Sequence, residues 1–169
     1  MRAFLFAVLV VALADCGGEA RVSKAEYEAQ LEVGREAISE SFTAVFDRSA
    51  RLSELEPPRS RSRRSIEKWR LDLARRLFEL ASEAENAEAR LNEAADRLDG
   101  TKPPERAKGA HERLVGAVRK LAGDFGEVAE AVRAERWVED LLDEIDLDKI
   151  VTAVEELEAA GYHMVRRVA

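Results

Sequence analysis

From Ser23 onward, apolar residues return along the chain in steps of three, four and seven, the spacing that lines one face of an α-helix. Leu31, Ile38, Val45 and Leu52 repeat every seven residues, and Phe42 fills the companion position. Glu28 and Arg35 at companion positions weaken the stripe toward its start. Ser23 followed by Glu26 forms an S-x-x-E capping box. These positions predict a first helix from about Ser23 to Leu55. In a second, from about Ser65 to Asp99, Leu77, Leu80, Ala84, Ala87, Leu91, Ala94 and Leu98 alternate steps of three and four. Upstream, Trp69, Leu73 and Leu77 step by four and four, a stutter in the repeat. Ser65 can cap this helix, and its Ala-rich end predicts close approach by a neighbour.

Gly100-Thr101-Lys102-Pro103-Pro104 ends the second helix and starts a third, with Gly at the C-terminal end and Pro tolerated in a first turn. Leu114, Val118, Leu121, Phe125, Val128 and Val132 carry the third helix, whose pattern predicts continuation through Val138 toward Ile145. Asp146 or Asp148 can cap a fourth, with Ile150, Val154 and Leu157 on one face and Gly161 positioned to end or bend it. A weak internal repeat is visible. Arg51-Leu52 followed by Pro57-Pro58 returns as Arg97-Leu98 followed by Pro103-Pro104. Each unit reads helix, Pro-Pro connector, helix. The expected fold is all-α, an up-and-down antiparallel bundle of about four long helices. The short connectors favour it over a long coiled-coil dimer.

The N-terminal pattern is different. After Arg2, apolar residues run from Ala3 to Ala14, twelve in all, against ~20 for a membrane-spanning helix. A short basic start, an apolar core and small residues describe a signal peptide. It ends in LADCGG, where Cys16, the single cysteine of the chain, stands at a lipobox position with Leu13 and Ala14 before it. The expected organisation is a lipoprotein signal peptide over residues 1–15, a lipid-anchored tether over 16–22 and a helical bundle over 23–169. A tether of six residues past Cys16 reaches about 20 Å when extended. Asp15 occupies a place where a small neutral residue is usual. Two alternatives stand beside acylation: cleavage after Ala14, which releases a secreted protein, and an uncleaved signal anchor.

Composition narrows the function more than the fold. The 169 residues carry 36% charged and 6% aromatic side chains and a net charge of -7. An acidic chain lacks the broad basic surface that duplex nucleic acid demands, so no nucleic-acid partner is expected. One cysteine allows no internal disulfide.

The ending CGG, the helix opening SKAEY from Ser23 to Tyr27, and the segment PPERAKGAHERLV from Pro103 to Val115 together resemble small helical-bundle lipoproteins of GC-rich Gram-positive bacteria. Within the last segment, Pro103, Pro104, His111, Leu114 and Val115 carry the likeness. The resemblance implies an envelope location and a helical bundle, and it brings no catalytic residue with it.

Candidate chemistry is sparse. Lys108 stands three residues before His111 and Ala160 three before His163, so neither makes the Glu-x-x-His pair of a di-iron bundle. A zinc site built on several cysteines is excluded. No Gly-rich phosphate loop or G-x-S-x-G turn occurs. No catalytic, cofactor-binding or metal residue is assigned, and the protein is not expected to be an enzyme. His111 aligns with Val118 and Phe125 and is expected to face the bundle, as a hydrogen-bonded core residue or, alternatively, a ligand in a small-ligand, metal or haem carrier. His163 and Met164 are further candidate ligands. Pro58 to Arg64 forms a basic connector suited to anionic headgroups, and Glu139 to Asp148 holds six acids in ten residues. Gly109, Gly116 and Gly123 recur every seven residues on the outer face of the third helix. Glycine there costs ~1 kcal/mol each relative to Ala; the stripe reads either as an interface with a protein partner or a second protomer, or as drift in a Gly/Ala-rich composition. The expected role is a non-enzymatic envelope interaction module anchored through Cys16.

Overall fold

The computed structural model describes residues 22–164, except positions 61, 135, 137 and 138. The predicted signal peptide, Cys16 and the residues to 21 lie outside them. Five α-helices follow in order: α1 Lys24–Ser53, α2 Arg63–Asp99, α3 Lys108–Arg133, α4 Glu139–Asp143 and α5 Asp148–Ala159. A 3-10 turn, Glu105–Ala107, leads into α3. No described residue lies in a strand. The protein is an all-α bundle in which α1 packs on α2, α2 on α3, and α3 on α5.

The capping box forms as the sequence requires. Ser23 Oγ accepts from the Glu26 amide at 3.2 Å, and Glu26 Oε2 accepts from the Ser23 amide at 2.9 Å. The cap of α2 is Ser62 rather than Ser65: Ser62 Oγ accepts from the Ser65 amide, so the helix begins three residues earlier, at Arg63. The α1 stripe also differs from expectation. Leu31 and Val45 are fully buried, but their companions are Tyr27, Gly34 and Ser41, each one residue before the expected Glu28, Arg35 and Phe42. This places the polar pair outside the core and leaves Phe42 half-buried, stacked on Phe46 at 4.2 Å. Gly34 permits the shift. A Cβ built there lies 3.0 Å from Leu98 Cδ1, so α1 and α2 approach closely at that level.

The fourth arm of the bundle is broken, in place of a long helix. The expected run of α3 toward Ile145 stops at Arg133, where the Ala134 and Arg136 amides turn back onto Glu130 and Ala131. The chain then reverses through α4, whose Leu142 is buried, and Asp146 Oδ1 accepts from the Asp148 amide at the start of α5. Ile150, Ala153 and Leu157 face α3, and Val154 is half-buried. Gly161, at φ 88°, ends α5 in the left-handed region that glycine tolerates. The Tyr162 amide reaches the Leu157 carbonyl across that turn.

The core sits where all arms meet. Leu91, Leu98, Leu114, Val118, Leu121 and Phe125 are at most 1% exposed. Beyond Leu80 toward its N-terminus, α2 has no fully buried residue. Residues 63–79 therefore leave the bundle with the end of α1 as a two-helix arm.

Candidate functional site

His111 sits in the first turn of α3 and is 3% exposed. Its Nε2 lies 2.9 Å from the Leu98 carbonyl oxygen, and its Nδ1 lies 3.0 Å from the Tyr27 hydroxyl. A carbonyl only accepts, so Nε2 carries the ring proton and the Tyr27 O–H donates to Nδ1. The neutral imidazole is fully satisfied and ties α1, α2 and α3 together at one end of the bundle. Burial holds the imidazole below its ordinary pKa, against the opposing pull of the Leu98 carbonyl and of Asp99. Burial, with a contribution from Tyr162, raises the Tyr27 phenol well above its usual range. The rings of Tyr27 and Tyr162 meet edge to face at 5.2 Å, and the His163 amide donates to Glu28 Oε1. The tail after α5 thus closes over α1. Met164 is buried there, while His163 is exposed.

Gly109, Gly116 and Gly123 of α3 lie on solvent-exposed positions. Open space surrounds a Cβ built at Gly116 or at Gly123, and one at Gly109 meets only the Arg113 guanidinium. Gly116 opens into a shallow groove of about 470 Å³ between α3 and α5, lined by Ala117, Lys120, Lys149 and Thr152 among others. Gly123 opens into a second, of about 380 Å³ between α2 and α3, where Glu85, Glu88, Glu127 and Glu130 converge. Flanking ion pairs fix the helices on either side. Arg119 bridges Asp96 at 3.1 Å and Asp99 at 2.9 Å, Arg133 pairs with Glu85, and Arg113 Nε donates to Glu156 at 2.7 Å.

The acidic run is exposed at Asp143, Glu144, Asp146 and Asp148. Among the described residues no group of three or more His, Cys, Asp or Glu side chains could hold a metal ion. Nor, among them, is any helix long and apolar enough to cross a membrane. Sequence spacing located His111 and the glycine stripe, but it missed Tyr27, whose role shows only once α1 is set against α3. No protein-family model, curated protein or solved structure matches the chain.

Proposed function

We propose that this chain is a cell-envelope lipoprotein, held on the outer face of the membrane by acyl chains on Cys16, and that its bundle is a non-enzymatic interaction module. LADCGG after a twelve-residue apolar run supports the anchor. The open path over Gly116 and Gly123 is the observation that carries the interaction role. Helix interiors favour Ala over Gly by ~1 kcal/mol, and a bare stripe lets a partner's backbone approach closely. The engagement of both His111 ring nitrogens by Tyr27 and Leu98 favours this reading over a metal or haem carrier.

Two measurements test it. The mass of the mature N-terminus in membranes of the native host is expected to be that of a chain starting at acylated Cys16. An unacylated chain in the medium would refute the anchor. Single cysteines introduced at positions 109, 116 and 123 are expected to cross-link a neighbour more efficiently than cysteines at other exposed α3 positions. Equal yields would remove the glycine face as the interface.

A further inference from the structure

The arm formed by α1 beyond Val45 and α2 before Leu80 has no fully buried residue, and only its base, through Leu52 and Leu77 among others, packs against the core. Arg133, the last residue of α3, pairs with Glu85, so α2 residues 63–79 run about 25 Å further. On the side facing α1, Ile66, Trp69, Leu73 and Leu77 are half-buried, and Arg48 pairs with Glu79 at 3.2 Å. The opposite side of α2 carries Leu71 and Phe78, 72% and 73% exposed, higher than Val33 and Val151, the other exposed large apolar residues described. They stand two turns apart on one helical stripe, with Ala74 between them. Helical spacing puts Arg64, Lys68 and Arg75, all exposed, on the same side.

Charge separates this arm from the rest of the protein. Between Pro57 and Phe78 the sequence has eight Lys and Arg against Glu67 and Asp72, a net +6, which leaves -13 on the remainder. Arg63 and Arg75 make only exposed pairs with Glu67 and Asp72 along the helix.

We propose that this arm docks on an anionic lipid surface, with Leu71 and Phe78 entering the headgroup boundary and the surrounding Arg and Lys side chains meeting the phosphates. A basic helix with isolated exposed apolar residues is suited to such an interface. The stripe is convex and sparse. A fluid interface moulds around two single side chains, whereas a folded partner would need a pocket cut for each. A symmetric contact between two arms would set +6 against +6, which rules out a second copy bound tip to tip. The acidic body is repelled by the same surface, so the arm alone makes contact. The 30 residues of α1 set the tip of the arm about 45 Å from the anchored end. Two attachment points that far apart lay the bundle along the membrane. That orientation rests on acylation of Cys16; the docking does not.

The test uses residues 16–169 with Cys16→Ser, which retains every described helix and leaves no other thiol. Unacylated, this chain is expected to sediment with vesicles of phosphatidylglycerol in phosphatidylcholine and not with phosphatidylcholine alone, and to dissociate as salt rises. Leu71→Ser with Phe78→Ser is expected to lower vesicle affinity about tenfold, and both positions are exposed, so the fold is kept. An environment-sensitive dye on Phe78→Cys is expected to shift to the blue on vesicles, and the same dye on Glu155→Cys is not. Absence of vesicle binding, binding indifferent to the double variant, or an unshifted dye at position 78 would each overturn the proposal. Competition by polyglutamate that matches the vesicles and ignores the double variant would overturn it in favour of an acidic protein. The mass of the native N-terminus reports separately on the anchor.

Discussion

The Tyr27 hydroxyl and His111 Nδ1 lie 3.0 Å apart although 84 residues separate them in the chain. Both residues are buried, and the Leu98 carbonyl completes the trio. Tyr27→Phe keeps the ring and its edge contact with Tyr162 but leaves a buried acceptor on His111 without a donor. The expected loss is about 1–3 kcal/mol in denaturant unfolding. In a double-mutant cycle, Tyr27→Phe and His111→Leu together are expected to cost less than the sum of the two singly. Strict additivity would show that the hydrogen bond does not couple the helices.

The same trio makes stability pH-dependent. Burial lowers the folded-state pKa of His111 below its ordinary value of 6.5. The unfolded chain therefore takes up this proton first as pH falls. Stability is complete above about 6.5 and declines as pH drops from there toward the folded pKa. Thermal melts between pH 7.5 and 5.5 are expected to show Tm falling with pH in the native protein. His111→Leu removes the titrating group, so its Tm is expected to be lower throughout and flatter over that interval. A slope unchanged by the substitution would place the pH dependence elsewhere.

Gly34 of α1 and the exposed pair Gly116 and Gly123 of α3 are expected to respond in opposite ways. Gly116→Ala and Gly123→Ala fill open space on an exposed helix face, and each should stabilise by about 1 kcal/mol. Gly34→Ala sets its Cβ 3.0 Å from Leu98 Cδ1, so the gain in helix propensity is offset by displacement of a buried leucine. Gly34→Val, with two more carbons at the same place, is expected to cost about 1–3 kcal/mol by overpacking. If the α3 face holds a partner, Gly116→Ala with Gly123→Ala should also weaken its capture while raising Tm. A rise in Tm with capture intact would count against the interface.

Much of this was legible from spacing alone. The three-four rhythm of Leu114 to Val132 and the Ala-rich run of α2 name core residues correctly, because a long regular stripe is buried by whatever packs on it. At the companion positions of α1 the hydrophobic pattern points one residue away from the buried face, because Gly34 and Ser41 carry no hydrophobic signal and are buried by close helix approach instead. Nothing in RAERWVED marks the end of α3. No proline or glycine stands there, and the reversal serves to bring Leu142, Ile150 and Leu157 back onto α3. The Tyr27–His111 contact was hidden for a different cause: a pair joined only by tertiary packing leaves no periodic trace.

Neighbouring apolar residues on α2 mark the boundary between core and arm. Leu80 is fully buried, while Phe78, two residues earlier, is 73% exposed. Leu80→Ala is expected to cost about 2–5 kcal/mol. Phe78→Ala is expected to change stability by no more than about 0.5 kcal/mol, although phenylalanine is the larger side chain. Equal losses in urea unfolding would mean that something covers Phe78.

The arm should also open before the bundle does. Residues 63–79 contribute no fully buried side chain, whereas Leu80, Ala84, Ala87, Leu91, Ala95 and Leu98 are buried between neighbours. Local unfolding of a helix segment is opposed mainly by the apolar surface it would expose. Separating the arm exposes half-buried faces, among them those of Phe46, Leu52, Ile66, Trp69, Leu73 and Leu77, and breaks the part-buried pair of Arg48 with Glu79. Amide hydrogen exchange is therefore expected to be faster across 66–77 than across 84–98 of the same continuous helix, with the step in protection near Leu80. Anionic vesicles should slow exchange in the first segment and leave the second unchanged. Uniform protection along α2 without lipid would show that the helix unfolds as one cooperative unit, with the arm as firmly held as the core.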